Sequence, residues 1–87
     1  MMRMEKRLIV NNELGLHLRP AGELCTLAME YDSKITIHFR DREYNAKSLL
    51  SVLSACVQSG DEIVMCFEGP DEEEAAERIS AFINGLH

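Results

Sequence analysis

The sequence predicts an α+β fold, an open-faced two-layer sandwich in which an antiparallel sheet is covered on one face by three helices. Three observations predict it. Three segments alternate apolar and polar side chains, so each reads as a strand with one buried face. Three others space their apolar residues by three and four, the pattern of amphipathic helices. With one short additional strand, the order along the chain is strand, helix, strand, strand, helix, strand, helix, and strands with a single dry face are satisfied by one helical layer.

Leu8 and Val10 alternate in the first strand. A helix starts at or just after His17, where Leu18, Ala21, Leu24, Cys25 and Ala28 fall on one stripe. Ile35, Ile37 and Phe39 define the second strand, with Thr36, His38 and Arg40 on its opposite side, and a turn at Asp41-Arg42 leads to a short third strand containing Tyr44. Ser48 is a good N-cap for a helix running to about Cys56. Gly60-Asp61 turns the chain into the last strand, Ile63, Met65 and Phe67, which Gly69-Pro70 ends. Asp71 with Glu74 reads as a capping box for a final helix whose Ala75, Ile79, Phe82, Ile83 and Leu86 share a face.

At 87 residues, residues 1–87 make one domain with a modest core, and no linker, low-complexity tract or strong repeat divides them. No apolar run approaches membrane-spanning length and no secretory h-region follows the first residues, so a cytoplasmic protein without membrane insertion is expected. Cys25, Cys56 and Cys66 are odd in number, lack C-x-x-C spacing and lie in helical or strand patterns, which favours reduced packing cysteines over disulfide or zinc chemistry. His17, His38 and His87 share no ligand spacing, so no metal is expected. The net charge of −6 argues against nucleic acid as a partner. Residues 1–60 carry eight basic and seven acidic side chains, while 61–87 carry one and eight, so the acidity is concentrated at the start of the last helix, where it complements the helix dipole.

The chemistry concentrates in Gly15-Leu16-His17-Leu18-Arg19-Pro20-Ala21-Gly22. A helix start presents unpaired N–H groups and the positive end of the dipole, and Arg19 adds a planar guanidinium, a combination that holds phosphoryl oxygens. Pro20 fits a first turn, where its missing N–H costs no helical bond, although a residue before proline, here Arg19, is disfavoured in the helical region. An uncharged imidazole is a nucleophile, and the same two positive centres stabilise a phosphorylated product. From local chemistry alone, a surface or capping histidine is the commoner meaning of such a residue.

The segment resembles the active-site signature of the histidine-containing phosphocarrier (HPr) family of the phosphoenolpyruvate-dependent sugar phosphotransferase system, Gly-Leu-His-x-Arg-Pro-Ala. A second stretch, Ala46-Lys47-Ser48-Leu49-Leu50-Ser51-Val52-Leu53, resembles the regulatory serine segment of that family at the family's separation from the histidine. The resemblance implies a strand order of 1-4-2-3 and a phosphoryl carrier rather than an autonomous enzyme, with no cofactor. It implies that His17 accepts a phosphoryl group from phosphoenolpyruvate-protein phosphotransferase and passes it to sugar-specific acceptor domains. Phosphate binding would fall to His17, Leu18 and Arg19, and partner docking to Leu18, Leu49, Leu50 and Leu53, with Val52 and at least one leucine buried. Ser48 would be the target of an HPr kinase/phosphorylase, beside its structural use as a cap. A second reading is a regulatory or nitrogen-type HPr-like protein that signals through phosphorylation-dependent binding.

Three positions depart from the family pattern. Leu18 is bulkier than the usual small residue, Gly22 replaces Ala or Thr at a cost of up to ~1 kcal/mol of helix propensity, and the turn near Asp41 lacks a glycine. With strands one and four adjacent, alternation also sends Ile9, Val64 and Cys66 to the uncovered face, where they are expected to form an exposed apolar cluster with His38 nearby.

Overall fold

The computed structural model describes residues 3–86. Its elements are β1 (Met4–Ile9), α1 (Leu18–Ala28), β2 (Lys34–Phe39), β3 (Arg42–Asn45), α2 (Leu49–Ala55), β4 (Glu62–Glu68) and α3 (Glu72–Asn84). The strands form one antiparallel sheet ordered β1-β4-β2-β3. Alternation sorts the side chains as expected: Leu8, Ile63, Met65, Phe67, Ile35 and Ile37 turn inward and are essentially inaccessible to solvent. From the helices, Ala21, Leu24, Ala28, Val52, Ala75, Ile79 and Ile83 meet them in a single core. Burying a large aliphatic side chain is worth roughly 1.5–3 kcal/mol, so this shared layer is what holds the helices to the sheet.

The turn between β2 and β3 shows what replaces the glycine. Arg40 and Asp41 have φ of 50° and 62°, and Phe39 pairs with Arg42, which makes a two-residue hairpin of the type that needs positive φ at both central positions. Non-glycine residues are disfavoured in that conformation, and the Arg40 guanidinium, 4.9 Å from the centre of the Phe39 ring, offsets part of the cost.

Three expectations need correction. Asp71 is the N-cap residue of α3, but its side chain makes no capping hydrogen bond and no capping box forms with Glu74. Its carboxylate instead accepts from the Asp32 N–H and the Ser33 N–H, each at 2.9 Å, and from the Ser33 hydroxyl, while Glu72 accepts from the Gly69 N–H at 3.0 Å. Those bonds, the Ser33 hydroxyl foremost, hold the Asp71 carboxyl below the usual carboxylate range. A carboxylate tying the start of β2 to the start of α3 satisfies backbone donors that a local cap would leave open.

Among the described residues, the uncovered face carries no continuous exposed apolar cluster. Ile9 is exposed, but Val64 is half-buried and Cys66 is buried, because Arg3 places Nη2 3.0 Å from Cys66 Sγ and is anchored by Glu5 at 3.3 Å and Glu68 at 3.8 Å. Long arginine stems cover apolar surface while their charged ends stay wet. His38 is the neighbour of Val64 in the sheet and points to Thr36 Oγ1 at 3.2 Å and Glu43 at 3.6 Å.

Cys56 is the third correction. Cys25 and Cys66 are packing residues, but Cys56 is exposed and ends α2 in the left-handed conformation, with φ 55° and ψ 43°. Burial pushes the Cys25 thiol up, which makes it inert at neutral pH.

Candidate functional site

His17 is the N-cap of α1, with extended backbone at φ −79° and ψ −174°. Its carbonyl accepts the first helical bond, from the Ala21 N–H at 2.9 Å, while its side chain makes no capping bond. The imidazole is exposed and has no hydrogen-bond partner among the described residues. The N–H groups of Leu18 and Arg19 have no intrahelical acceptor, Pro20 has none to offer, and no acidic residue occupies the first turn. The helix is unbroken through Arg19-Pro20. Two free amides, the positive end of an 11-residue helix and the exposed Arg19 guanidinium thus belong to the same helix start as the imidazole.

The loop before His17 is fixed by packing that the sequence did not reveal. Gly15 has φ +68°, and a Cβ there would lie 2.4 Å from the Val57 carbonyl oxygen. The Leu16 N–H donates to that same oxygen at 2.9 Å. Buried Asn12 donates from Nδ2 to the Gly15 carbonyl at 2.7 Å, and the Gly15 N–H returns to the Asn12 carbonyl at 3.2 Å. The placement of His17 therefore depends on the chain after α2. An asparagine in a polar turn gives no sequence signal of burial, so Asn12 was missed.

His17 opens onto a cleft of about 600 Å³ between the start of α1 and the end of α3, whose walls include Asn12, Arg19, Pro20, Phe82 and Leu86. A second groove of about 850 Å³ runs between α1 and α3 past Leu18, Gly22 and Phe82 and does not reach His17. Of the two, the smaller cleft is the one that holds the imidazole.

Most of the expected docking residues are exposed, on the two helices α1 and α2. Leu18, Leu50 and Leu49 are 65%, 80% and 37% exposed, and α1 packs against α2. Leu53 is half-buried against the core and Val52 is completely buried, so one of the four leucines serves packing in part. Leu14, which has no place in any periodic pattern, is 68% exposed in the loop just before the histidine. Ser48 caps α2 by accepting from the Ser51 N–H at 3.2 Å. The loop it ends is tied down by Asn45 N–H to Ser51 Oγ at 2.8 Å and by Lys47 Nζ to the Tyr31 carbonyl at 2.6 Å. His38 lies on the uncovered face of the sheet, on the other side of the molecule from the helices, and His87 lies outside the described residues.

A family model described as the PTS HPr component phosphorylation site matches residues 4–85. The chain belongs to the HPr family of phosphocarriers. Among the family's members, the chain is 36% identical over 83 residues to the phosphocarrier protein HPr of Borreliella burgdorferi, covering 95% of this chain and 96% of that one. It is 38% identical over 80 residues to the HPr-like protein Crh of Halalkalibacterium halodurans, covering 92% and 95%. The crystal structure of HPr from Bacillus anthracis superposes with a TM-score of 0.90 at 32% identity, over 94% of this chain and 98% of that one. HPr structures thus share both the βαββαβα order and the open four-stranded sheet found here. No helix among the described residues is long and apolar enough to cross a membrane.

Proposed function

We propose that this HPr-family phosphocarrier carries its phosphoryl group on His17, accepting it from phosphoenolpyruvate-protein phosphotransferase and delivering it to the histidine of sugar-specific acceptor domains in the cytoplasm. The observation that carries the reading is the exposed imidazole at the N-cap, at a helix start that leaves two amides without helical acceptors and in one cleft with Arg19. In each transfer one N–P bond forms as another breaks in line with it, and the electron pair of the broken bond returns to the donor's ring nitrogen. Such a step needs close approach and charge stabilisation more than an enclosed pocket, which suits a ring on an exposed rim. Arg19 clamps the phosphoryl oxygens by two-point contact, with the amides of Leu18 and Arg19 beneath them.

Docking is assigned to the apolar rim of Leu18, Leu49 and Leu50, joined by the exposed edge of Leu53. Burial of a few leucines supplies affinity while the charged groups supply register. The chain is a carrier and not an autonomous catalyst, since the energy of transfer comes from its partner's phosphorylated group. A phosphate on Ser48 by an HPr kinase/phosphorylase would sit well on the start of α2 but place up to two negative charges beside Leu49 and Leu50, so docking would suffer more than folding.

The test is incubation with phosphoenolpyruvate and the native first phosphotransferase. Labelling is expected at His17 alone, acid-labile and base-stable, and absent from His17→Ala. Undiminished labelling of His17→Ala would overturn the assignment.

A further inference from the structure

Asn12 is only 3% exposed, and its two arms have different fates. Nδ2 donates to the Gly15 carbonyl at 2.7 Å, whereas Oδ1 is buried and has no hydrogen-bond partner among the described residues. A buried carbonyl oxygen left unpaired is disfavoured by about 1–3 kcal/mol, and few native side chains tolerate it without a function. Asn12 forms part of the wall of the cleft that holds His17 and Arg19. The unpaired acceptor is thus carried by a residue of the site's own wall.

Its chemistry restricts what it can do. An acceptor oxygen repels phosphoryl oxygens, so it cannot help to hold the anion, and it requires an N–H donor. Among the described residues, and besides Asn12 itself, the cleft's side chains offer two sources of N–H, the His17 imidazole and the Arg19 guanidinium, and the free amides of Leu18 and Arg19 are the backbone donors at this helix start. In the phosphocarrier reading the arginine donors and the two amides are assigned to the phosphoryl oxygens, which leaves the imidazole. The imidazole is exposed, free to turn, and uses neither nitrogen in capping.

We propose that Asn12 is the positioning residue of His17: with Nδ2 fixed on Gly15, its Oδ1 accepts the N–H of one ring nitrogen. A neutral imidazole has a single N–H, so the bond selects the tautomer and leaves the lone pair on the other nitrogen. That nitrogen forms the N–P bond while the donor's N–P bond breaks and its electron pair stays on the donor. No proton is exchanged. The phosphorylated ring keeps its N–H and carries a positive charge, so the bond to Oδ1 becomes charge-assisted and roughly twice as strong as a neutral one. The same side chain thus favours the nucleophilic tautomer before transfer and the phosphorylated ring after it.

The rate effect rests on the phosphocarrier reading, but the tautomer does not, and the experiment separates the two. Ring ¹⁵N chemical shifts of His17 are measured in the full-length unphosphorylated protein and compared with those of free histidine. In the wild type the ring is expected to favour one tautomer far more strongly than free histidine does. Asn12→Ala is expected to return His17 to the tautomer ratio of the free amino acid and to lower the rate of phosphoryl acceptance at saturating donor on the order of tenfold, with KM for the phosphotransferase unchanged. A wild-type ring with the tautomer ratio of free histidine overturns the proposal, even if Asn12→Ala fails to fold. So does an unchanged skew in a folded Asn12→Ala, or a response confined to the Arg19 Nε signal. Should the skew be present while label appears on another residue, the phosphocarrier assignment to His17 falls and the contact stands.

Discussion

Replacing Gly15 by alanine tests whether the loop before His17 is held by backbone contact. The added Cβ would lie 2.4 Å from the Val57 carbonyl oxygen and 2.6 and 2.9 Å from two backbone atoms of Gln58, against an ordinary contact of 3.4 Å or more, so two backbones must part by about 1 Å. Neither side is the end of a flexible side chain. The left-handed φ of +68° adds roughly 1–2 kcal/mol for any residue with a Cβ, and the displaced Leu16 to Val57 hydrogen bond adds about 1 kcal/mol. A loss of about 2–4 kcal/mol is expected, which in a domain of this size lowers Tm by roughly 10–25 °C. Gly60→Ala is the matched control, because Gly60 has φ +88° but open space around a Cβ. It should lose only the conformational part, about 1–2 kcal/mol. Urea unfolding measures both. Because a 1 Å misplacement of a reacting group can cost about a hundredfold in rate, folded Gly15→Ala should also accept phosphoryl groups far more slowly, and Gly60→Ala should not. Equal stabilities for the two variants, or a wild-type acceptance rate in Gly15→Ala, would refute the idea that this contact places the histidine.

The fold was legible because its signals are local. Alternation in Ile63, Met65 and Phe67 and the three-four spacing in Ala75, Ile79 and Ile83 record which face each element buries, and the structure buries those faces. Ser48 was readable as a cap because a cap acts on its own helix, three residues on. The strand order was not encoded in any such pattern and came from the family resemblance. What the local reading misplaced depends on partners far along the chain. Asp71 looks like a capping residue until Ser33, 38 positions earlier, is brought against it. Cys66 looks exposed by alternation, but the sheet register sets Glu5 opposite it and the guanidinium of Arg3 over it. At the site, His17 and Arg19 were visible as a motif, whereas Asn12 and Leu14 were not, since a turn residue gains its burial or exposure only from the α2–β4 connection and the rim assembled around it.

Arg19→Lys keeps the charge but loses the planar fork, so phosphoryl acceptance should fall by about tenfold or more while urea stability moves by less than about 0.5 kcal/mol. Comparable losses in both would make Arg19 a structural residue. Asp71→Asn should be less stable than the wild type at neutral pH. The folded carboxyl titrates below its ordinary value of 3.8, so the stabilisation it provides is complete above that value and disappears as pH falls through the lower folded value. The stability difference between the two proteins should therefore close on acidification below 3.8, and a constant difference would show that the Ser33 and Asp32 bonds do not depend on the charge. The apolar rim gives the last contrast, because Leu50 and Val52 are two residues apart on one short helix yet 80% and 0% exposed. Val52→Ala removes buried methyl groups and should cost roughly 1–3 kcal/mol in unfolding, with little effect on KM for the phosphotransferase. Leu50→Ser removes nothing from the core and should unfold like the wild type, but a docking leucine that becomes buried against a partner contributes roughly 1.5–3 kcal/mol, so KM should rise by about tenfold or more. Unchanged KM for Leu50→Ser with both partners would mean that phosphoryl transfer proceeds without the rim, and that the exposed leucine is tolerated rather than used.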